Sequence, residues 1–117
     1  MAASVAVLAG CALVAGLAGA HAVLQRSEPR ANSSLKRPPG EVRLYFSEQL
    51  EPAYSTLRVL DARDGQVDER DAHVDRADPT ILRATLPPLS AGRYRVRWRV
   101  ISIDADATEG EFTFRVE

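Results

Sequence analysis

The pattern of hydrophobic and polar positions along the chain predicts a protein built from β-strands. Apolar and polar side chains alternate with a period of two in several segments, which is typical of strands that bury one face. These segments are residues 41–46, 56–60, 81–86, 92–102 and 111–116. The clearest of them sets four apolar residues against four arginines: Tyr94, Val96, Trp98 and Val100 on one face, and Arg93, Arg95, Arg97 and Arg99 on the other.

Turn residues separate these strands at short intervals, at Pro38-Pro39-Gly40, Asp64-Gly65 and Pro87-Pro88. Several short strands with this spacing indicate an all-β protein, a two-sheet β-sandwich of immunoglobulin-like size. Tyr94 follows a glycine-containing corner, where it either forms a tyrosine corner with the upstream backbone or is an ordinary core residue. Residues 68–78 are rich in carboxylates and poor in apolar side chains, which predicts a solvated connecting loop.

Residues 1–20 carry no charged side chain and have the features of an export signal. They end in Ala18-Gly19-Ala20, the small-x-small pattern that precedes a signal-peptidase cut. Cleavage there makes His21 the first residue of a single mature domain, residues 21–117. A transmembrane anchor fits less well, because the segment is rich in Ala and Gly and no basic cluster follows it at once. We therefore expect a periplasmic or extracellular protein.

Two features of the leader leave alternatives open. No Lys or Arg precedes the apolar stretch, so either the true start lies upstream or the terminal amine alone supplies the positive charge. Alternatively, Leu8-Ala9-Gly10-Cys11 is a lipoprotein processing box, which would leave Cys11 lipidated and His21 inside the chain.

Charge and sulfur content exclude several classes of function. The chain has 15 Lys plus Arg and 16 Asp plus Glu, a formal net charge of −1, so the electrostatic case for nucleic-acid binding is weak. The only Cys (Cys11) and the only Met (Met1) both lie in the leader. Residues 21–117 therefore have no disulfide, no catalytic thiol, no Cys-based zinc site and no Met-based site for a soft metal.

Short motifs along the mature chain point to one family. They are His21-Ala22 directly after the cut, Ser27-Glu28-Pro29, Leu44-Tyr45-Phe46-Ser47-Glu48, residues 89–98, residues 100–104 and Gly110-Glu111-Phe112-Thr113-Phe114. Together they resemble the CopC family of periplasmic copper-resistance and copper-carrier proteins. The resemblance implies a Greek-key β-sandwich of about seven strands. It also implies one Cu(II) ion, bound by the amine and imidazole of an N-terminal His, an Asp, and a second His in a Ser-x-Asp-x-His motif.

The resemblance carries over to this chain residue by residue. His21 would supply two nitrogen donors, which suits the tetragonal nitrogen and oxygen ligation that Cu(II) prefers. Asp104 matches the family Asp, and Glu48 matches a motif Glu close to the site, as a weak or outer partner.

Asp106 stands where the family has its second His, and it would lie on the same side as Asp104 if the chain is extended there. Such a site is harder and more anionic, so we expect weaker and less copper-selective binding. In the alternative, both aspartates only cap a loop and the site has decayed.

Other assignments follow from the same residues. His73 lies in the acidic segment, and we expect it to be a solvated residue rather than a ligand; without Met, a Cu(I) site is excluded. A copper ion on an N-terminal His could activate oxygen, as in the copper polysaccharide monooxygenases, but those sites use a second His, so we expect no enzyme.

The resemblance implies a membrane copper transporter as partner, and we expect a monomer. The alternative function is an immunoglobulin-like interaction module with a degenerate metal site, using the arginines of residues 93–99; pairing of these arginines with acidic residues across the sheet is the simpler interpretation.

Overall fold

The computed structural model describes residues 21–117, which form strands joined by turns and short loops. The predicted leader, with Cys11 and the cleavage site after Ala20, lies outside the described residues. The strands of the described part are β1 (Leu24–Glu28), β2 (Ser34–Leu35), β3 (Glu41–Phe46), β4 (Thr56–Leu60), β5 (His73–Val74), β6 (Ile81–Thr85), β7 (Gly92–Ile101) and β8 (Ala107–Val116), and a single 3-10 turn spans Pro52–Tyr54. Within residues 21–117 the structure contains no helix with the length and apolar character needed to cross a membrane.

The strands form two four-stranded sheets. The first has the order β1-β3-β6-β5 and the second the order β2-β8-β7-β4. All neighbours are antiparallel except β2 and β8, which run parallel. The predicted all-β sandwich is therefore confirmed. The resemblance implies about seven strands, and this part of the chain has eight, of which β2 and β5 span only two residues each.

The core lies between the two sheets and contains the apolar residues that the alternation predicts. Val42, Leu44 and Phe46 of the first sheet are buried, and Val96 and Val100 of the second sheet meet them. Trp98 is only half-buried. Its ring packs edge-on against Phe46, with the centroids 6.3 Å apart, and lies 6.2 Å from the ring of Phe112.

Of the two alternatives for Tyr94, the structure shows the tyrosine corner. Its hydroxyl donates to the carbonyl oxygen of Ser90 at 2.7 Å, and its ring stacks on Phe114 with the centroids 5.5 Å apart. The phenol therefore ties the loop before β7 to the strand itself, while the ring contributes to the core.

The acidic segment 68–78 differs from its prediction as a wholly solvated loop. Val74 is buried, and β5 pairs with β6. Asp68 is only 6% exposed, and its carboxylate accepts hydrogen bonds from the backbone N–H of Val59 at 2.7 Å and of Arg70 at 2.9 Å. The loop prediction is wrong here because β4 is the edge strand of the second sheet, and its Val59 N–H has no neighbouring strand to bind. The Asp68 carboxylate accepts that hydrogen bond and is buried by doing so.

The arginines of β7 point outward, as the alternation predicts, and most of them are paired. Arg97 lies 3.3 Å from Glu111 and Arg99 lies 3.5 Å from Glu109, each directly across the β7–β8 ladder. Arg95 pairs with Asp64. The interpretation that these arginines pair with acidic residues is confirmed for three of the four.

Candidate metal site

The chain that follows His21 is firmly attached to one end of the sandwich. Ala22 is buried, with 2% exposure, and its carbonyl oxygen accepts a hydrogen bond from the Thr108 hydroxyl at 2.9 Å. The N–H of Val23 donates to the Ser47 hydroxyl at 2.9 Å, and that hydroxyl lies 3.4 Å from the carbonyl oxygen of His21. The His21 side chain itself is exposed. The imidazole therefore projects from a fixed backbone into solvent.

The turn between β7 and β8 holds the two candidate aspartates. The N–H of Ala105 donates to the carbonyl oxygen of Ser102 at 2.8 Å, and the N–H of Ser102 donates to that of Asp106 at 3.0 Å. Ala105 has a φ of 69°, so residues 103–105 form a three-residue hairpin loop that ends in a left-handed residue. The condition that the chain is extended from Asp104 to Asp106 is therefore not met. Asp104 lies exposed in the loop, and Asp106 lies half-buried where β8 is about to begin.

Glu48 belongs to the same end of the molecule. It lies between Ser47, which contacts the His21 segment, and Gln49, whose carbonyl oxygen accepts a hydrogen bond from the N–H of Ile103 at 3.1 Å. A β-bridge between Leu50 and Ser102 joins the same two segments. The structure thus brings the segments of all four predicted site residues to one end of the sandwich. Within residues 21–117, however, no three His, Cys, Asp or Glu side chains form a cluster that could hold a metal ion.

His73 lies elsewhere in the fold and is exposed, as predicted. It belongs to β5, at one edge of the first sheet, whereas the strand that follows His21 forms the opposite edge. Its Nδ1 atom lies 2.8 Å from the carbonyl oxygen of Asp71. The imidazole is therefore separated from the His21 end by the width of a four-stranded sheet.

Sequence reasoning missed the two hydroxyl residues that hold the His21 segment. Ser47 is part of the Phe-Ser-Glu motif, but nothing in that motif shows that its hydroxyl contacts a segment 24 residues away. Thr108 lies 86 residues from Ala22. Contacts at such separations depend on the packing of the strands, so no local pattern reveals them.

The comparisons with known proteins agree with this fold. Residues 24–117 match the sequence profile of the CopC domain. The chain belongs to the CopC family. Copper resistance protein C of Pseudomonas syringae pv. tomato is 33% identical over 111 residues, which cover 90% of this chain and 87% of the relative. Among CopC family structures, that of CopC from Methylosinus trichosporium OB3b is 31% identical, with a TM-score of 0.74, covering 83% of this chain and 94% of the other.

A second similar structure is that of PcoC from Escherichia coli, named a methionine-rich copper resistance protein. It is 31% identical, with a TM-score of 0.72, and the match covers 84% of this chain and all of the other. Membership of the CopC family confirms the resemblance found in the sequence motifs, and it supports a function related to copper.

Proposed function

We propose that the mature protein binds one Cu(II) ion outside the cytoplasm and holds it or delivers it to a membrane copper transporter. The α-amine and the imidazole of His21 would supply two nitrogen donors. Asp104 and Asp106 would supply carboxylate oxygens, with Glu48 as an outer partner. Two relatives are named copper resistance proteins, which supports copper as the metal.

One observation carries this proposal: the backbone next to His21 is fixed beside the strand that emerges from the β7–β8 turn. Thr108 binds the carbonyl oxygen of Ala22, and Thr108 lies two residues beyond Asp106. Because Ala22 is buried, this attachment is part of the packed fold. An ion chelated by His21 would accordingly be held near the turn that carries both aspartates.

The chemistry of a terminal histidine explains how a site can form without three ligating side chains. One residue provides both an amine and an imidazole, so a single carboxylate completes a three-donor set. Cu(II) stands at the top of the affinity order for divalent ions of its series and accepts nitrogen and oxygen donors in a tetragonal arrangement. Removal of the leader would create the amine donor, so export would also activate the site.

The ligand set differs from the family pattern at one position. Asp106 replaces the second histidine of that pattern, which exchanges a nitrogen donor for an anionic oxygen. Oxygen donors favour harder ions, so we expect weaker binding and lower selectivity for copper. The single Met lies in the leader, so thioether ligation of Cu(I), which suits a methionine-rich relative, is not available to residues 21–117.

The affinity should depend on pH in a defined direction. An α-amine has an ordinary pKa of about 7.7–8.0, so it is mainly protonated at neutral pH and must lose that proton to bind the metal. Affinity should therefore fall as the pH decreases below 8. Isothermal titration at several pH values measures this slope and the number of protons released.

The decisive experiment is a Cu(II) titration, followed by electron paramagnetic resonance, of protein that begins at His21. The matched control is the same protein with an acetyl group on the α-amine of His21, which keeps the imidazole and blocks the amine donor. We expect tight one-to-one binding with a mixed nitrogen and oxygen spectrum in the first protein and its loss in the second. His21→Ala should also lose binding, His73→Ala should keep it, and Asp106→His should bind more tightly.

A second candidate function is an interaction module with a degenerate metal site. It is favoured by the absence of a three-residue ligand cluster within residues 21–117. Weak copper binding, equal in the native and the acetylated protein, would support this candidate and contradict the chelate. The sequence motifs contain no nucleophile with its base, so we expect no enzyme in either case.

Export can be tested separately from copper binding. We expect the protein isolated from producing cells to be a monomer whose first residue is His21. Mass spectrometry of the intact protein distinguishes this product from one that retains residues 11–20 with a lipid on Cys11. The lipidated form would leave His21 internal and would exclude the terminal chelate.

A further inference from the structure

The outer face of the second sheet carries far more positive than negative charge. Its outward side chains include six arginines, named here the arginine face: Arg58, Arg93, Arg95, Arg97, Arg99 and Arg115. Glu109 and Glu111 lie on the same face, Asp64 lies beside Arg95, and the exposed Glu117 follows Arg115 at the end of β8. The chain as a whole has a net charge of −1, so this excess is local.

The first sheet shows that the excess is not a general property of the molecule. Its outer face carries Arg26, Arg43 and Arg83 together with the carboxylates of Glu28, Glu41 and Asp75, although Arg43 and Arg83 also lie directly opposite each other. Arg83 bridges Glu41 and Asp75, at 3.0 and 2.9 Å, while Arg26 lies 4.0 Å above the ring of Tyr45. The Tyr45 hydroxyl in turn donates to the carboxylate of Glu28 at 3.0 Å.

The register of the second sheet places like charges directly opposite each other. Arg93 faces Arg115 across the β7–β8 ladder, and Arg58 faces Arg97 across the β4–β7 ladder. Like charges in such positions destabilise a sheet. Arg58, Arg93 and Arg115 form no ion pair with any carboxylate of residues 21–117. The stability of the fold therefore does not explain these three side chains.

The same face contains a groove of about 630 Å³. Arg58, Gln66, Arg97 and Arg99 line it together with Glu109 and Glu111. Arg95, Arg97 and Arg99 are already paired with carboxylates of this chain, which leaves Arg58, Arg93 and Arg115 of this face without an ion pair to residues 21–117. Guanidinium groups bind carboxylates through two parallel hydrogen bonds, so these three side chains can bind the acidic side chains of an extended partner segment.

We propose that the arginine face binds an extended acidic segment of a partner protein. This proposal does not depend on copper binding. One observation argues against a lipid bilayer as the occupant. The large exposed hydrophobic residues of the described part are Val23, Tyr54 and Ile103, and none of them lies in β4, β7 or β8, so these strands present no strongly exposed apolar side chain to lipid.

A second copy of this chain is a poor match for the face. The acidic segment 68–78 is the obvious source of carboxylates, but those of Asp71, Asp75 and Asp78 already accept hydrogen bonds from their own chain. Binding to another copy would have to break these bonds. A separate protein with an unstructured acidic segment has no such cost.

The test uses a short fluorescent peptide in which Glu alternates with Thr. It measures how tightly this peptide binds to the exported, purified protein. The double variant Arg58→Gln with Arg115→Gln removes one member of each opposed pair of like charges, so its melting temperature should stay the same or rise. The control, Arg26→Gln with Arg76→Gln, removes the same charge from the other side of the molecule. We expect about fivefold weaker binding in the first double variant only, as two exposed ion pairs would give. Binding should also weaken with added salt.

Several results would overturn the proposal. They include no binding of the peptide, equal binding of a peptide with Gln in place of Glu, and equal losses in the two double variants. Binding to vesicles of phosphatidylglycerol and phosphatidylcholine that needs Arg58 and Arg115, without binding of the peptide, would identify a membrane instead. A dimer in sedimentation that the first double variant loses would identify a second copy.

Discussion

Gly110 lies directly opposite Trp98 in the β7–β8 ladder, and the indole ring fills the space that a side chain would need. A Cβ atom on Gly110 would lie 2.5 Å from Cζ2 and 2.7 Å from Cη2 of that ring. Overpacking of this kind costs about 1–3 kcal/mol. The lower entropy of the unfolded chain with Ala returns about 0.4–1 kcal/mol. We therefore expect Gly110→Ala to lower the free energy of unfolding by about 1–2 kcal/mol.

The assay is urea unfolding followed by far-ultraviolet circular dichroism, which does not depend on Trp98, the only Trp of the chain. Four proteins form a double-mutant cycle: the native protein, Gly110→Ala, Trp98→Phe and the combination. Phe has no second ring, so the alanine should cost less beside it, with a coupling of at least about 0.5 kcal/mol. Gly40→Ala is the control, because a Cβ there meets nothing within 4 Å.

Two results would refute the reasoning. If Gly110→Ala were as stable as Gly40→Ala, the ring would have moved aside at no cost and would not be fixed by Phe46 and Phe112. If the two substitutions at Gly110 and Trp98 were additive, the loss would come from the strand backbone rather than from the indole.

Three further predictions concern the loops. Asp68→Ala should lower the free energy of unfolding by about 2–3 kcal/mol in urea titrations, because it leaves the buried N–H of Val59 without an acceptor. The pKa of Asp71 is held below its ordinary value by the hydroxyl and the N–H of Thr85. The ionised Asp71 carboxylate therefore stabilises the fold above pH 3.8, and this contribution is lost as the pH falls through the lowered pKa. Thr85→Val removes the hydroxyl, so the melting temperature of this variant should fall less between neutral and acid pH than that of the native protein. Ala105→Gly should raise the melting temperature, because Ala105 has a φ of 69°, with a gain of up to about 1 kcal/mol.

The strands could be predicted from the sequence because their burial pattern is local. Val42, Leu44 and Phe46 alternate with polar residues, and the structure buries all three. The same holds for β7, where Tyr94, Val96 and Val100 are buried. A strand with a period of two can be predicted without knowing its partner strand, because the alternation only requires that one face of the strand packs against the core.

The buried carboxylate of Asp68 could not be predicted in this way. A charged side chain in an acidic segment is ordinarily solvated, and its burial depends on the free N–H of Val59 at the edge of a sheet. Nor could the hairpin at residues 103–105 be predicted. A left-handed residue at its end is normally Gly or Asn, and Ala105 gives no such signal.

The candidate site likewise has a part that could be predicted from the sequence and a part that could not. His21, Glu48, Asp104 and Asp106 were found by resemblance, and the structure brings their segments to one end of the sandwich. Their relative arrangement depends on the hydrogen bonds of Ser47 and Thr108, which join residues far apart in sequence. The sequence therefore indicates which residues to test, while the attachment of the His21 segment emerges only from the folded chain.

Copper bound at this end should add stability to the fold without being needed to form it. The core runs through both sheets and contains none of the four candidate site residues, although it includes the neighbouring Ala22. A ligand that binds an already folded protein stabilises it by mass action, by about 2.7 kcal/mol at 100 times its dissociation constant. A chelator should therefore lower the melting temperature of the copper-loaded protein to that of His21→Ala and no further, as measured by calorimetry. Complete unfolding on chelation would instead mean that folding requires the metal, as in small zinc domains, and would contradict a site outside the core.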